Sequence, residues 1–288
     1  GRALGRRHVS VYIGGGTPTT LSAEQLDELC GILETAFDFS SVHEYTVEAG
    51  RPDTITAEKL NVLKLHGITR VSVNPQSMND DVLEAIGRKH SAKDVIDALS
   101  LVRSVGGFNV NMDLIAGLPL DTPNGFFRTL DTVLELNPEN ITVHTLALKK
   151  GSAITLRGAL LPQDSDVRRM VDFAGRTLYS SGYRPYYLYR QKYMSGGFEN
   201  VGWQRSDSES LYNICIMEEL RSIISMGGGA STKLCVGNGR IERIFDPKYP
   251  KEYIDSIDKI IADKEKIKSI LTQSDAETEF ICGNAQEV

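Results

Sequence analysis

Along the first half of the chain, short runs of β-branched and aromatic residues alternate with stretches whose apolar residues fall on one helical stripe. Val9, Val11 and Ile13, with Tyr12, predict a first strand. Ser22-Ala23-Glu24-Gln25 has the capping-box pattern and opens a helix whose Leu26, Leu29, Ile32, Leu33 and Phe37 share one side. Strands are predicted over His43–Ala49, Thr69–Val73, Phe108–Ile115 and Ile141–Leu148. Between them, Thr56 caps a helix ended by Gly67, and Asn79 caps a short helix through Ile86. Ser91 opens another, stopped by Gly106-Gly107, and Pro123–Leu136 is stopped before Pro138. Strand–helix alternation of this kind predicts a parallel sheet with right-handed crossovers, as an open or closed barrel.

The rhythm fails after about residue 150. A helix (Arg168–Ser180), an aromatic and basic strand (Tyr183–Lys192), a helix (Leu211–Ser225), a glycine cluster at Gly227-Gly228-Gly229 and a charged amphipathic helix (Pro250–Leu271) follow. The expected organisation is an α/β barrel over 8–150 and a small C-terminal α+β domain over 151–288. The 288 residues suffice for this, and 41% hydrophobic with 24% charged residues is ordinary for a globular protein. A net charge of −6 gives no electrostatic case for nucleic acid. No run approaches the ~18 apolar residues of a membrane span. The basic N-terminus Gly1–Arg7 lacks the apolar core of a signal peptide. Cys30, Cys215, Cys235 and Cys282 lie far apart with no CxxC pair, which argues against a local metal or iron–sulfur site and against a disulfide scaffold. Reduced thiols in a cytoplasmic protein are expected.

In a parallel barrel, ligands bind at the C-terminal ends of the strands. Those ends present Gly14-Gly15-Gly16-Thr17, Glu48, Asn74 with Gln76, Asp113 and Ala147, and Arg88 follows the short helix after Gln76. Three glycines between a strand and a helix leave backbone open to a ligand, where one would serve a plain turn. Two carboxylates, an amide and a guanidinium suit a polar, zwitterionic, hydroxyl-bearing ligand. The alternative is that Glu48 and Asp113 pair with Arg70 or Arg88 as rim salt bridges. His144, alone on the last strand, reads as structural.

These residues carry a resemblance. Tyr12–Thr19, Gln76-Ser77-Met78-Asn79, Asn111–Pro119 and Ala147 resemble the oxygen-independent coproporphyrinogen III oxidase family of radical S-adenosylmethionine (SAM) enzymes. Tyr189–Met194 and Glu199–Trp203 resemble its coproporphyrinogen dehydrogenase-like branch, and the likeness spans about residues 8 to 235. The resemblance implies a TIM-like (β/α)6 barrel of the radical SAM type. It implies that Gly14, Gly15, Gly16 and Thr17 bind the methionine end of SAM, with Glu48 near it. It also implies that Gln76, Arg88 and Asp113 hold SAM and that the Ala147 backbone lies beside adenine. The implied cofactors are SAM and a [4Fe–4S] cluster. The implied reaction is oxidative decarboxylation of coproporphyrinogen III propionates to vinyls, in haem synthesis. A tetrapyrrole substrate and an electron donor such as flavodoxin or ferredoxin follow as partners. Arg184, Arg190 and Lys192 would meet propionates, the plain alternative being an aromatic strand that only packs the appendage onto the barrel.

The chain departs from the family at the cluster. The family's CxxxCxxC motif follows the first barrel strand, upstream of a strand equivalent to Val9–Ile13, and none of the four cysteines here has that spacing. The expectation is therefore a partial barrel lacking its first strand, inactive in reductive SAM cleavage as written, with cluster cysteines upstream of Gly1. Three other readings stand beside this one: a haem-binding chaperone of the same family, a non-catalytic SAM- or nucleotide-binding module, and a phosphate-binding barrel of ordinary metabolism. No glycine loop at the last strands supports the third.

Overall fold

The structure, a computed structural model, describes residues 7–147, 160–190, 197–236 and 239–284, with 272–284 described by backbone alone. Strands β1 (Ser10–Ile13), β2 (Glu44–Glu48), β3 (Arg70–Ser72), β4 (Asn109–Ala116) and β5 (Asn140–Thr145) pair in parallel, in chain order. Two strands the alternating rhythm does not foretell complete the sheet. β6 (Arg184–Tyr189) is the outer one, and β7 (Asn200–Gln204) inserts antiparallel between β5 and β6. Gly202 of β7 is glycine because the Tyr187 ring occupies the place of a Cβ, 1.8 Å from Tyr187 Cε1.

Helices α1 (Ala23–Ala36), α2 (Ala57–Leu65), α3 (Asp80–Ala85), α4 (Ala92–Val105), α5 (Pro123–Leu136) and α6 (Asp164–Ser180) follow the strands. The expected caps form: Ser22 and Ser91 each close a capping box, and the Thr56 hydroxyl accepts from the Lys59 amide; Thr122 adds a cap the sequence reading did not name, accepting from the Gly125 amide. Each satisfies an amide that the helix itself leaves unpaired. One face of the sheet meets these helices. Val47, Val71, Val110, Met112, Leu114 and Ile141 bury there against Leu26, Leu60, Leu63, Leu99, Leu130 and Val133. Truncating one such side chain to alanine costs about 2–5 kcal/mol. The α1 stripe differs from expectation: Ala23, Leu26 and Cys30 are buried, and Ile32 is 57% exposed. Ile32 lies about 200° round the helix from Cys30 and so cannot share its face. His66 at the end of α2 ties that helix to α1, its ring nitrogens 2.9 Å from Asp27 and 2.8 Å from Glu34.

The other face of the sheet is polar. Glu44, Thr46 and Glu48 of β2, Arg70 and Ser72 of β3, Asn111 and Asp113 of β4, and Asn140 and Thr142 of β5 occupy alternate positions. The register pairs Thr46 with Arg70, Glu48 with Ser72, Ser72 with Asn111, and Asp113 with Thr142, so these side chains share one face. A polar face opposite a helix-covered apolar face positions the site.

The chain divides into two compact units between Tyr212 and Asn213. In the second, β8 (Ser231–Val236) and β9 (Arg240–Phe245) form an antiparallel hairpin. A long helix, Ile257–Asn284, follows the short Pro250–Asp255 helix; its Ile260, Ile267 and Leu271 are buried, and its Lys264 pairs with Asp246 at 3.0 Å. The helix expected over Leu211–Ser225 ends at Met217. Glu219 adopts a left-handed φ of +54°, and Ile223 is drawn into an antiparallel bridge with Lys233.

Candidate functional site

At the N-terminal ends of the strands the polar face is sealed by its own chain. Arg70 pairs with Glu44 at 3.4 Å, contacts Asn140, and donates to the Ser208 and Glu209 carbonyls at 2.7 and 3.0 Å. Glu44 accepts from the Ser210 hydroxyl and from the Leu211 and Tyr212 amides at 3.1, 2.8 and 3.1 Å. The segment 208–212 thus plugs this end. Arg70 is therefore not the partner of Glu48 or Asp113 that a rim salt bridge would need.

At the C-terminal ends the same face opens. Glu48 sits at the tip of β2, where one carboxylate oxygen meets the Tyr12 hydroxyl and the other accepts from Gly15 N–H at 3.3 Å. The Tyr12 ring stacks on Tyr212 with centroids 4.1 Å apart. Burial raises the Glu48 pKa; the Tyr12 hydroxyl lowers it and the Asp113 charge adds to the rise. Burial also raises Tyr12, with Glu48 beside it reinforcing the shift. Asp113, on β4, behaves oppositely. Burial alone would raise it, but His144, Asn111 and Thr142 together hold it below the usual aspartate value. Asn111 donates to its Oδ1 at 2.8 Å and His144 Nε2 lies 3.7 Å from the same oxygen. Two carboxylates of one rim are thus shifted in opposite directions, Asp113 down and Glu48 up.

The three glycines have separate roles. A Cβ on Gly14 would stand 2.4 Å from the Tyr12 ring, and Gly15 has φ +109°. Gly16 has neither constraint and faces open space. Thr17 bonds its own neighbour, the Gly16 carbonyl, at 2.7 Å. Gln76 is buried with φ +66°, and its backbone exchanges hydrogen bonds with Asp113 and Ile115 at 2.9 and 3.0 Å. A non-glycine residue held in this region beside a rim carboxylate is strain located at a site. Arg88 is half-buried, its guanidinium held below its usual range by burial and by the neighbouring Arg51. Its charged neighbours are Arg51 and Asp53, not Asp113. Ala147 ends the β5 segment, half-buried.

The structure therefore joins Gly14, Gly15, Glu48, Gln76 and Asp113 at one rim. Arg184 is elsewhere: it pairs in register with Gln204, which lies opposite Asn140 at the start of β5, and its guanidinium packs on the Tyr179 ring. Arg190 pairs with Glu199 at 3.1 Å, and Lys192 lies outside the described residues. Three residues the sequence reading passed over as site members belong here: Tyr12, Asn111 and His144. His144 Nδ1 lies 3.2 Å from the Tyr189 hydroxyl. For Asn111 and His144 the signal was the polar alternation along β4 and β5.

The sequence profile of the radical SAM superfamily matches residues 2–133. Residues 2–133 are a radical SAM domain. It is 44% identical over 248 residues to the oxygen-independent coproporphyrinogen-III oxidase-like protein HemZ of Bacillus subtilis, covering 85% of this chain and 50% of that one. It is 30% identical over 249 residues to the heme chaperone HemW of Haemophilus influenzae, covering 86% and 61%. The solved structure of coproporphyrinogen III oxidase (HemN) from Escherichia coli, a radical SAM enzyme, superposes with a TM-score of 0.71 at 25% identity, over 88% of this chain and 58% of that one. The chain spans half to three fifths of the length of these relatives. The curled, mostly parallel sheet is the radical SAM fold.

Radical SAM proteins use SAM and a [4Fe–4S] cluster. The rim fits the first of these. Asn74 Oδ1, at the end of β3, is buried without a hydrogen-bond partner among the described residues, as are Ser72 Oγ and Thr46 Oγ1 beneath it. Buried polar atoms of this kind call for a polar ligand or water. A cluster is another matter. Among the described residues no three metal-ligating side chains converge. Cys30 and Cys215 are buried, and burial pushes the Cys30 thiol up, against the thiolate a cluster needs. Among the described residues, the cysteines do not fit a cluster.

Proposed function

We propose that this chain is the SAM-holding part of a radical SAM protein that acts on tetrapyrroles, converting propionate side chains of coproporphyrinogen III to vinyl groups. The net change per side chain is loss of CO2 together with one β-hydrogen, a two-electron oxidation for which SAM would be the oxidant, consumed to methionine and 5′-deoxyadenosine. The observation that carries the reading is the paired rim carboxylates, Glu48 and Asp113, beside an open glycine backbone, on a chain 44% identical to a coproporphyrinogen oxidase-like protein. In this reading the Gly15 and Gly16 backbone receives the amino and carboxylate end of SAM. Asp113 meets its hydroxyls, Arg88 its carboxylate, and the Ala147 backbone its adenine. Glu48, protonated more readily than an exposed glutamate, orders the glycine loop through Gly15 N–H and keeps the Tyr12 ring under Gly14. Bound SAM, with a cluster supplied from outside these residues, brings one-electron chemistry to the site. A small electron-transfer protein of the flavodoxin or ferredoxin kind completes the proposal.

A second reading, haem chaperone, has a specific basis in the 30% identity to HemW. The test is an anaerobic assay of the protein with its cluster reconstituted, SAM, reductant and coproporphyrinogen III. Vinyl products and released CO2 are expected. Haem bound at one per chain with no turnover of coproporphyrinogen would establish the chaperone instead.

A further inference from the structure

The rim of the site and the aromatic strand β6 meet at the His144 imidazole. His144 Nε2 is 3.7 Å from Asp113 Oδ1, and its Nδ1 is 3.2 Å from the Tyr189 hydroxyl. The Tyr189 ring in turn stacks parallel to Tyr187, with centroids 6.2 Å apart and planes 5° from parallel. Asn111 shares Oδ1 of Asp113 with His144, so both contacts fall on one oxygen. Tyr187 is buried, and its hydroxyl lies 3.5 Å from Thr142 Oγ1, which also bonds Asn111 at 3.2 Å. The aromatic wall and the carboxylate therefore belong to one network.

We propose that His144 is a positioning residue for the ligand of Asp113, holding Oδ1 from one side while Tyr189 fixes the ring from the other. Neutral imidazole has one donor and one acceptor. With the Tyr189 O–H donating to Nδ1, the proposed proton resides on Nε2 and points to Asp113. The same arrangement, with a hydroxyl, an imidazole and a carboxylate in line, orients histidines elsewhere in protein chemistry. The 3.7 Å contact is long for a hydrogen bond; in the proposed arrangement it tightens when Asp113 takes up a ligand, as site contacts in ligand-free proteins do. A consequence is that a planar substrate packed against Tyr187 and Tyr189 alters the grip of Asp113 on its adenosyl ligand. This inference deepens the SAM reading and takes the identity of the ligand from it.

Two measurements on the full chain test it. In the first, S-adenosylhomocysteine is titrated calorimetrically into wild type, His144→Phe and His144→Gln, with circular dichroism confirming that each is folded. His144→Phe should bind at least about tenfold more weakly, the scale of one hydrogen bond to a charged group. His144→Gln, which keeps a donor toward Asp113, should recover most of the loss. Equal binding by His144→Phe and wild type overturns the proposal. In the second, nitrogen-15 spectra of the imidazoles give the His144 tautomer. Nε2–H is expected in wild type at pH 8, with a loss of that preference in Tyr189→Phe; an Nδ1–H tautomer in wild type overturns the proposal. Should wild type bind no adenosyl ligand, the SAM reading falls while the tautomer still decides the relay. Should His144→Phe fail to fold, His144→Gln and Tyr189→Phe carry the test.

Discussion

At the scale of single residues, the three glycines after β1 separate two causes that look alike in a sequence. Gly14 is small because the Tyr12 ring lies where its Cβ would be, and Gly15 is glycine because its φ is +109°. Only Gly16 is free of both demands. Alanine substitutions should therefore diverge. Gly14→Ala and Gly15→Ala should each lower stability by about 1–3 kcal/mol, from overpacking and from left-handed backbone respectively. Gly16→Ala should leave stability within about 0.5 kcal/mol and weaken binding of S-adenosylhomocysteine. Urea unfolding of all three, with calorimetric titration of Gly16→Ala, checks this. The triplet stood out in the sequence as a candidate ligand loop. Its division of labour was not, because nothing in the string puts Tyr12 under Gly14. The same holds for Glu48: its position at a strand end was readable, its hold on Gly15 N–H was not.

At the scale of elements, caps and strand existence were legible because they rest on local chemistry: Ser22, Thr56, Asn79 and Ser91 each accept from the first turn they precede. The start of α5 adds a buried acid. Asp121 is 6% exposed, its Oδ1 accepts from the Thr122 amide, and that oxygen would lie 2.5 Å from a Cβ on Gly125. Burial pushes its carboxyl up to about 6, against the pull of the Thr122 amide and Arg128. An unfolded aspartate titrates near 3.9. Because the folded value is the higher, the protonated acid stabilises the fold; that contribution is complete below pH ~4 and is lost as pH rises through about 6. Asp121→Asn keeps an acceptor for Thr122 and removes the charge. It should raise stability at pH 8 by about 2–3 kcal/mol and change little at pH 4, as read by denaturant unfolding at the two pH values. Where longer-range pairing decided an element, the sequence misled: Leu211–Ser225 has a helix-like pattern, yet Ile223 pairs with Lys233 and the helix ends at Met217.

At the scale of the whole molecule, the polar face of the sheet is closed at one end and open at the other, and the closure is ionic. Arg70 and Glu44 are 4% and 6% exposed, and both are bound to the 208–212 segment. Removing one member of such a pair strands the other without its counter-charge. Arg70→Met should cost about 3–5 kcal/mol, and Arg70→Met with Glu44→Gln should cost less than the single change, in urea unfolding. The sequence by itself determined the α/β class, the order of the first five strands, the caps, and the family through its Gly-Gly-Gly-Thr-Pro and Asp-Leu-Ile-Ala-Gly-Leu-Pro runs. These depend on residues adjacent in the chain, where periodicity and backbone preference act directly. Only the tertiary structure decided that β7 would insert between β5 and β6, that Arg70 would meet Glu44 rather than a rim carboxylate, and that Tyr189 would reach His144. Those outcomes depend on which strands lie side by side and on which polar groups, once shut away from water, find one another.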